Sequence, residues 1–309
     1  MVGYDTLHFR LNTRQAGLAL PALTGIQTMP DKWYEGQYRF HGRIGNLQVS
    51  GDCTGIWVKG SLCKFHLGNN AEILTRQETG RAIVRLSDTI HLPMAEANVF
   101  RIDVGTNLVM KYSLAAYAAL LGECPYLKKS FWANRQTVQY SNCQRAIIFY
   151  DKLADMARLH EDIPAQVQGR NLLRVEMRLL RKASKQLGKT GFITGSDLYD
   201  EVFYVKPIKK FQEQYFLVQK LRKEQAFSMN GQKEMVNSLA FWGLKSLGGL
   251  DVALGLIRAE RAKGVISKET FKRLKDKVRE IASIKPDESH CAEIQELDSK
   301  IKMAVNYYR

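Results

Sequence analysis

A change of hydrophobic period near residue 181 is the feature that most limits what this 309-residue chain can become. Before it, short runs rich in β-branched and aromatic residues predict strands over 4–11, 38–49, 55–59, 99–109, 137–140, 145–151 and 172–180. Helices are expected between them at 76–90, 113–121 and 153–160. Beyond 181 the apolar spacing turns helical, over 181–187, 196–201, 206–226, 232–247, 251–262 and 267–281. Gly248-Gly249 and Lys263-Gly264 punctuate that stretch, and Ser267 is a candidate N-cap. The pattern predicts an α+β fold: a mainly antiparallel sheet with flanking helices over 1–205, then a basic all-helical region over 206–309.

Charge narrows the function. Lys and Arg number 46 against 31 Asp and Glu, a net charge of +15. An excess of that size points to a polyanion, and nucleic acid is the foremost one. No run of about 20 apolar residues exists to span a bilayer, so no membrane role is expected. Five cysteines without a C-x-x-C pair predict free thiols in a reducing cytoplasm. The stretch Gly60-Ser-Leu-Cys-Lys64 lacks the Walker pattern, so no nucleotide hydrolysis is expected.

Three strands carry chemistry-bearing residues. In the first, alternation puts Phe100, Ile102 and Val104 on one side and Arg101, Asp103 and Gly105 on the other. The second is apolar until Tyr150, then turns charged at Asp151 and Lys152. In the third, Leu173, Val175, Met177 and Leu179 form one face, and Arg174, Glu176 and Arg178 the other. Seven basic residues lie between Arg170 and Lys189, with Glu176 the only acid. Taken singly, Tyr150 reads as a core-edge tyrosine and Glu176 as one member of a salt-bridge stripe. Together they supply a hydroxyl nucleophile, two carboxylates and several cations, the inventory for phosphodiester transesterification. Two oxygen ligands, Asp103 and Glu176, suit Mg²⁺ or Mn²⁺.

The ordered set Arg101-Ile102-Asp103, Phe149-Tyr150-Asp151-Lys152 and Leu173-Arg174-Val175-Glu176-Met177-Arg178 resembles the gene II/X replication initiators of filamentous phages. It is more distantly similar to the initiators of staphylococcal rolling-circle plasmids. The resemblance spans roughly residues 4–205 and includes the segment from Val58 to Asn70. It implies an origin-specific, metal-dependent enzyme that nicks and rejoins DNA through a 5′-phosphotyrosine. Tyr150 would be the nucleophile and Lys152 would contact the scissile phosphate or lower the tyrosine pKa. Asp103 and Glu176 would hold the metal, and Arg101, Arg174 and Arg178 would contact DNA. Host helicase and polymerase are implied partners. Termination needs a second nucleophile, either Tyr150 of a second copy in a homodimer or a water. The plasmid initiators carry a second acid four residues after the first, where this chain has Asn107.

The tail rests on charge. Nine basic residues against three acids lie between Arg258 and Arg279, with Ile266, Phe271, Leu274 and Val278 as an apolar stripe. Lys272, Arg273, Lys275 and Arg279 are expected either to grip duplex origin DNA or to form a solvated bundle face. Two other functions compete: a non-catalytic origin-binding initiator or repressor, and a mobilisation relaxase or transposase. The latter usually carries a His-x-His pair, which is absent from the six histidines here.

Overall fold

The computed structural model describes residues 1–12, 40–52, 54–132, 137–221, 232–283 and 291–307. They fall into two compact units, Met1–Gln219 with Glu296–Arg309, and Lys220–Gln295. The first unit is built on one ten-stranded, wholly antiparallel sheet. Its strands are β1 (Gly3–Asn12), β2 (Phe40–Ile44), β3 (Leu47–Asp52), β4 (Gly55–Ser61), β5 (Asn98–Met110), β6 (Lys128–Trp132), β7 (Thr137–Ser141), β8 (Arg145–Asp151), β9 (Asn171–Leu179) and β10 (Ile193–Thr194). They run in the order β2-β3-β4-β1-β5-β9-β8-β7-β6, and β10 pairs with the start of β5. The fold is therefore the α+β class that the periodicity predicts.

Around the sheet lie α1 (Leu62–Leu67), α2 (Arg76–Ile90), α3 (Leu114–Ala118), α4 (Lys152–Arg158), α5 (Ala183–Gln186), α6 (Glu201–Leu217) and α10 (Ala292–Asn306). Apolar residues alternate along the strands, so one face of the sheet is a continuous core. Leu7, Phe9, Ile102, Val104, Val175, Met177, Ile147 and Phe149 belong to it. The helix α2 starts on a capping box made by Thr75 and Glu78, and buries Thr79, Ala82, Ile83, Leu86 and Ile90. Against the same core, α6 packs Tyr204 edge-on to Tyr4 and Tyr215 beside Phe149, and α10 adds Leu297 and Ile301.

Several elements depart from expectation. The run 38–49 is a hairpin from residue 40 onward, because Gly45, at φ +56, turns it back on itself. The helix expected from 206 starts instead at Glu201, where Asp200 caps the Phe203 amide. Pro207 is tolerated inside the second turn, and residues 222–226 lie outside those described. The first unit thus reaches Gln219, past the boundary expected near 205, and recruits most of α10 as well. Pattern reading missed β6 and β10, whose polar or very short sequences carry no period, and α10, whose apolar spacing does. Cys63 and Cys143 are free thiols.

The second unit contains α7 (Gln232–Ser246), α8 (Leu250–Ala262) and α9 (Lys268–Ser283), with α9 packed on α8 and α7. Among the described side chains of these three helices Leu244, Ala253 and Leu254 are buried, and α9 buries no residue fully.

Two register shifts between β1 and β5 decide what faces the second side of the sheet. Counting back from Leu7 by simple alternation would put Asp5 in the core. A bulge instead sets both Asp5 and Thr6 against the single residue Asp103, and Asp5 emerges on the polar side. The second bulge adds Phe100 to β5, so Phe100 joins Arg101 on the polar side rather than Ile102 in the core. Gly105 lies where β5 presses closest to β9: an added Cβ would fall 2.8 Å from the Val175 carbonyl oxygen and 3.3 Å from the Glu176 Cα. Replacing Gly105 by Ala should therefore separate β5 from β9 and cost about 1–3 kcal/mol. Thermal unfolding of Gly105→Ala checks this, and a melting temperature equal to the parent's would show that the strands have slack.

Candidate active site

The polar face of the sheet gathers the residues that the three motif strands supply. Cross-strand register fixes their neighbours: Asp103 lies opposite Arg178, Gly105 opposite Glu176, and Asn107 opposite Arg174. On the far side of β9, Tyr150 of β8 lies opposite Arg174. The Tyr150 hydroxyl donates to Glu176 Oε2 at 3.3 Å. Glu176 thus meets Tyr150 directly, and Asp103 meets Glu176 through Arg178, which pairs with both carboxylates.

Arg174 is fully buried at the centre. Its Nη2 contacts Asp5 Oδ2 at 2.5 Å and its Nε contacts Glu176 Oε2 at 2.9 Å. Its Nη1 donates to the Asn107 Oδ1 at 3.1 Å and the Asn70 carbonyl at 3.2 Å. The Asn107 amide donates in turn to the carbonyls of Asn70 and Ala71, which a carboxylate at that position could not do. Arg174 is therefore an internal strut and not the DNA contact expected of it. The outer guanidiniums differ. Arg101 grips both oxygens of Asp103, at 2.9 and 2.6 Å, and Arg178 Nε holds Glu176 Oε1 at 2.7 Å. Both side chains remain a quarter to a third exposed, at 24% and 33%.

The two site carboxylates titrate in opposite directions. Burial pushes Asp103 up, against the pull of Arg101. Burial would also raise Glu176, but Arg174 and Arg178 outweigh it and hold the carboxyl well below its ordinary range. Burial raises Tyr150 far above an ordinary phenol, with Arg174 opposing and Glu176 adding to the rise. The resting tyrosine is protonated. Lys152 opens α4 behind the Asp151 cap, and its buried amine has an ion pair to Asp155 at 3.5 Å and, among the described residues, no hydrogen bond. Burial and Arg174 lower its pKa.

The arrangement does not fit a divalent cation. All four oxygens of Asp103 and Glu176 are engaged by guanidinium groups. Among the described residues, no group of three or more His, Cys, Asp or Glu side chains gathers at a point that could hold a metal. Arg101 and Arg178 would first have to release the carboxylates.

Sequence reasoning missed Asp5, Ser61 and Asn70. The Ser61 hydroxyl donates to Asp5 Oδ1 while also capping α1. The segment from Val58 to Asn70 holds two of these three residues, so the motif pointed at them without giving a role. Asp5 was hidden by the bulge. In the second unit, Lys272, Arg273 and Arg279 of α9 are exposed and Lys275 is partly covered. Phe271, Lys275 and Val278 form the partly covered face, and Leu274, expected in the apolar stripe, is exposed.

A family model for the amino-terminal part of the phage gene II product, a replication-associated protein, matches residues 30–217, more than half of the chain. No curated protein matches the chain.

Removing one member of a buried ion network leaves its partners uncompensated, which costs about 3–5 kcal/mol. Arg174→Met should lose stability on that scale at neutral pH. The depressed pKa of Glu176 means that its contribution is present above the unfolded carboxylate pKa and lost as pH falls through the folded one. The difference between parent and variant should therefore shrink in acid. Urea unfolding at neutral and acidic pH measures it, and equal stability at neutral pH would show that the network is dispensable.

Proposed function

The chain belongs to the filamentous-phage gene II family of replication initiators, and from that premise we propose that it nicks and rejoins DNA through Tyr150 to initiate rolling-circle replication. The observation that carries this reading is the Tyr150 hydroxyl hydrogen-bonded to Glu176 on a sheet face beside two partly exposed arginines. Tyr150 Oη attacks the phosphorus, the bond from phosphorus to O3′ breaks, and the products are a 5′-phosphotyrosine and a 3′-hydroxyl end. Reversal of the same step rejoins the strand, and the phosphodiester energy is kept in the adduct.

Proton traffic follows from the opposed carboxylates. Groups whose surroundings drive their pKa values apart are the natural acid and base. Glu176 touches the tyrosine hydroxyl and takes its proton. Its resting pKa is too low for a good base, because Arg174 and Arg178 hold it down. A phosphate arriving at the exposed Arg178 would draw that guanidinium away and raise Glu176 towards a useful range. The same exchange at Arg101 leaves buried Asp103 free to take up a proton and return it to the departing O3′. Arg101 and Arg178 then stabilise the charge that develops on the phosphate. The buried amine of Lys152, without a hydrogen bond among the described residues, is suited to a further phosphate oxygen.

Tyr150→Phe removes the hydroxyl alone and should abolish both nicking and the covalent adduct while leaving DNA affinity nearly intact. Intact-mass analysis after incubation with a single-stranded origin oligonucleotide reads the adduct directly. An adduct formed by the variant would move the nucleophile elsewhere, and a parent without any adduct would favour a non-catalytic origin-binding protein.

The exposed cations of α9 support a second, phosphate-directed contact with duplex DNA. Binding through Lys and Arg falls with salt at a log–log slope near −0.9 per phosphate neutralised. Replacing Lys272, Arg273, Lys275 and Arg279 with Ala should shrink that slope by a few units, without altering cleavage of a short single strand. An unchanged slope would make α9 a solvated bundle face.

A further inference from the structure

A partly exposed aromatic group interrupts the polar face of the sheet away from Tyr150. Trp57 of β4 lies 5.2 Å, ring centre to ring centre, from Phe100, the residue that the β5 bulge turns to this face. Phe100 lies 6.1 Å from Phe192, in the segment before β10, and Phe192 is 63% exposed. Rings of this size are normally buried, and a partly open cluster that ends in an exposed ring on a working face marks a contact surface. Its surroundings are cationic. The Arg10 guanidinium and the Lys59 amine lie 5.3 and 5.0 Å from the Trp57 ring centre. Arg101 follows Phe100 directly, and His8 lies opposite both Lys59 and Arg101. Burial and those two cations pull His8 down to about 4, so the imidazole is neutral and adds no charge.

Aromatic rings interleaved with cations are what unpaired nucleic acid needs: faces for bases and charges for the backbone. We infer that Trp57, Phe100 and Phe192 form a base-stacking platform for single-stranded DNA, which holds the unpaired strand a few nucleotides from the phosphate attacked by Tyr150. The inference rests on the reading of Tyr150 as nucleophile for its orientation, but the binding site itself does not. Phe100 and Gly105, the residue opposite Glu176, are five residues apart on β5, at most about 17 Å at the rise of a strand. That spans a few nucleotides of extended DNA, with Arg101 and Arg178 between platform and hydroxyl. Duplex DNA cannot stack on such rings, because its bases already stack on one another. The partner is therefore an unpaired strand, read by the faces of its bases and without sequence preference.

The test is the affinity of the full chain for a fluorescent oligothymidylate, by anisotropy, with Tyr150→Phe as the background so that no cleavage intervenes. Phe192→Leu keeps apolar bulk and removes the ring. It should weaken single-strand binding roughly 5- to 100-fold, the range for losing one stacked base. Phe192→Tyr should restore it, and affinity for a duplex of equal length should be unchanged in both. Trp57→Leu, checked for folding by circular dichroism, should reproduce the loss. Parent-like single-strand affinity in Phe192→Leu, or equal losses for single strand and duplex, would overturn the platform. A covalent adduct formed by the Tyr150→Phe background would instead overturn the nucleophile and leave the platform standing.

Discussion

Four hydrogen bonds from one buried side chain hold the motif strands in register with the amino-terminal strand. Arg174 reaches Asp5 on β1, Glu176 on its own strand, Asn107 on β5 and the Asn70 carbonyl in the segment before α2. A guanidinium fits this position because its donors lie in one plane and stay charged at any working pH. A lysine could offer the same charge but not the fork that meets two carboxylates and two carbonyl oxygens at once. The Tyr150 hydroxyl is fixed through this network, since Glu176, its acceptor, is itself held by Arg174.

Three arginines and three carboxylates form the network around Arg174, so its formal charge balances although the chain as a whole carries +15. What differs among them is burial. Asp5, Asp103, Glu176 and Arg174 are sealed, whereas Arg101 and Arg178 keep part of their surface in water. A sealed, paired charge is expensive to disturb, while a partly solvated guanidinium can exchange one anion for another at little cost. The network is thus rigid at its base and exchangeable at its rim. On the proposed mechanism, that gradient lets an arriving phosphate change the proton affinity of two carboxylates without moving the frame beneath them.

Much of this was legible in the sequence, and the failures have physical causes. Alternation along β9 put Arg174, Glu176 and Arg178 on one face, and the structure agrees. It could not say that the stripe is buried, because burial depends on Asp5 and Asn70, which lie 169 and 104 residues away from Arg174. Arg174 read as a surface cation for the same reason. Alternation misjudged Phe100 because a bulge changes the side chain's face without leaving any mark on composition. The metal expectation arose from counting oxygen donors. Whether a donor is free depends on neighbours across the sheet, and here guanidiniums already take those positions.

The two bulges in the β1–β5 pairing bring two unlike side chains to the same face. One brings a carboxylate to the polar face to meet Arg174, and the other brings an aromatic ring to that face beside Arg101. Both follow from single extra residues in otherwise regular strands, so neither requires a loop or an inserted domain. A regular pairing would have buried Phe100 with Ile102 and sent Asp5 towards the core, leaving Arg174 without its shortest ion pair. Local irregularity, placed twice in one strand pair, converts a plain amphipathic sheet into a surface with an ionic centre and an aromatic margin. On the proposed reading, the ionic centre handles the phosphate and the margin handles the bases, so unpaired DNA is the substrate that can satisfy both at once.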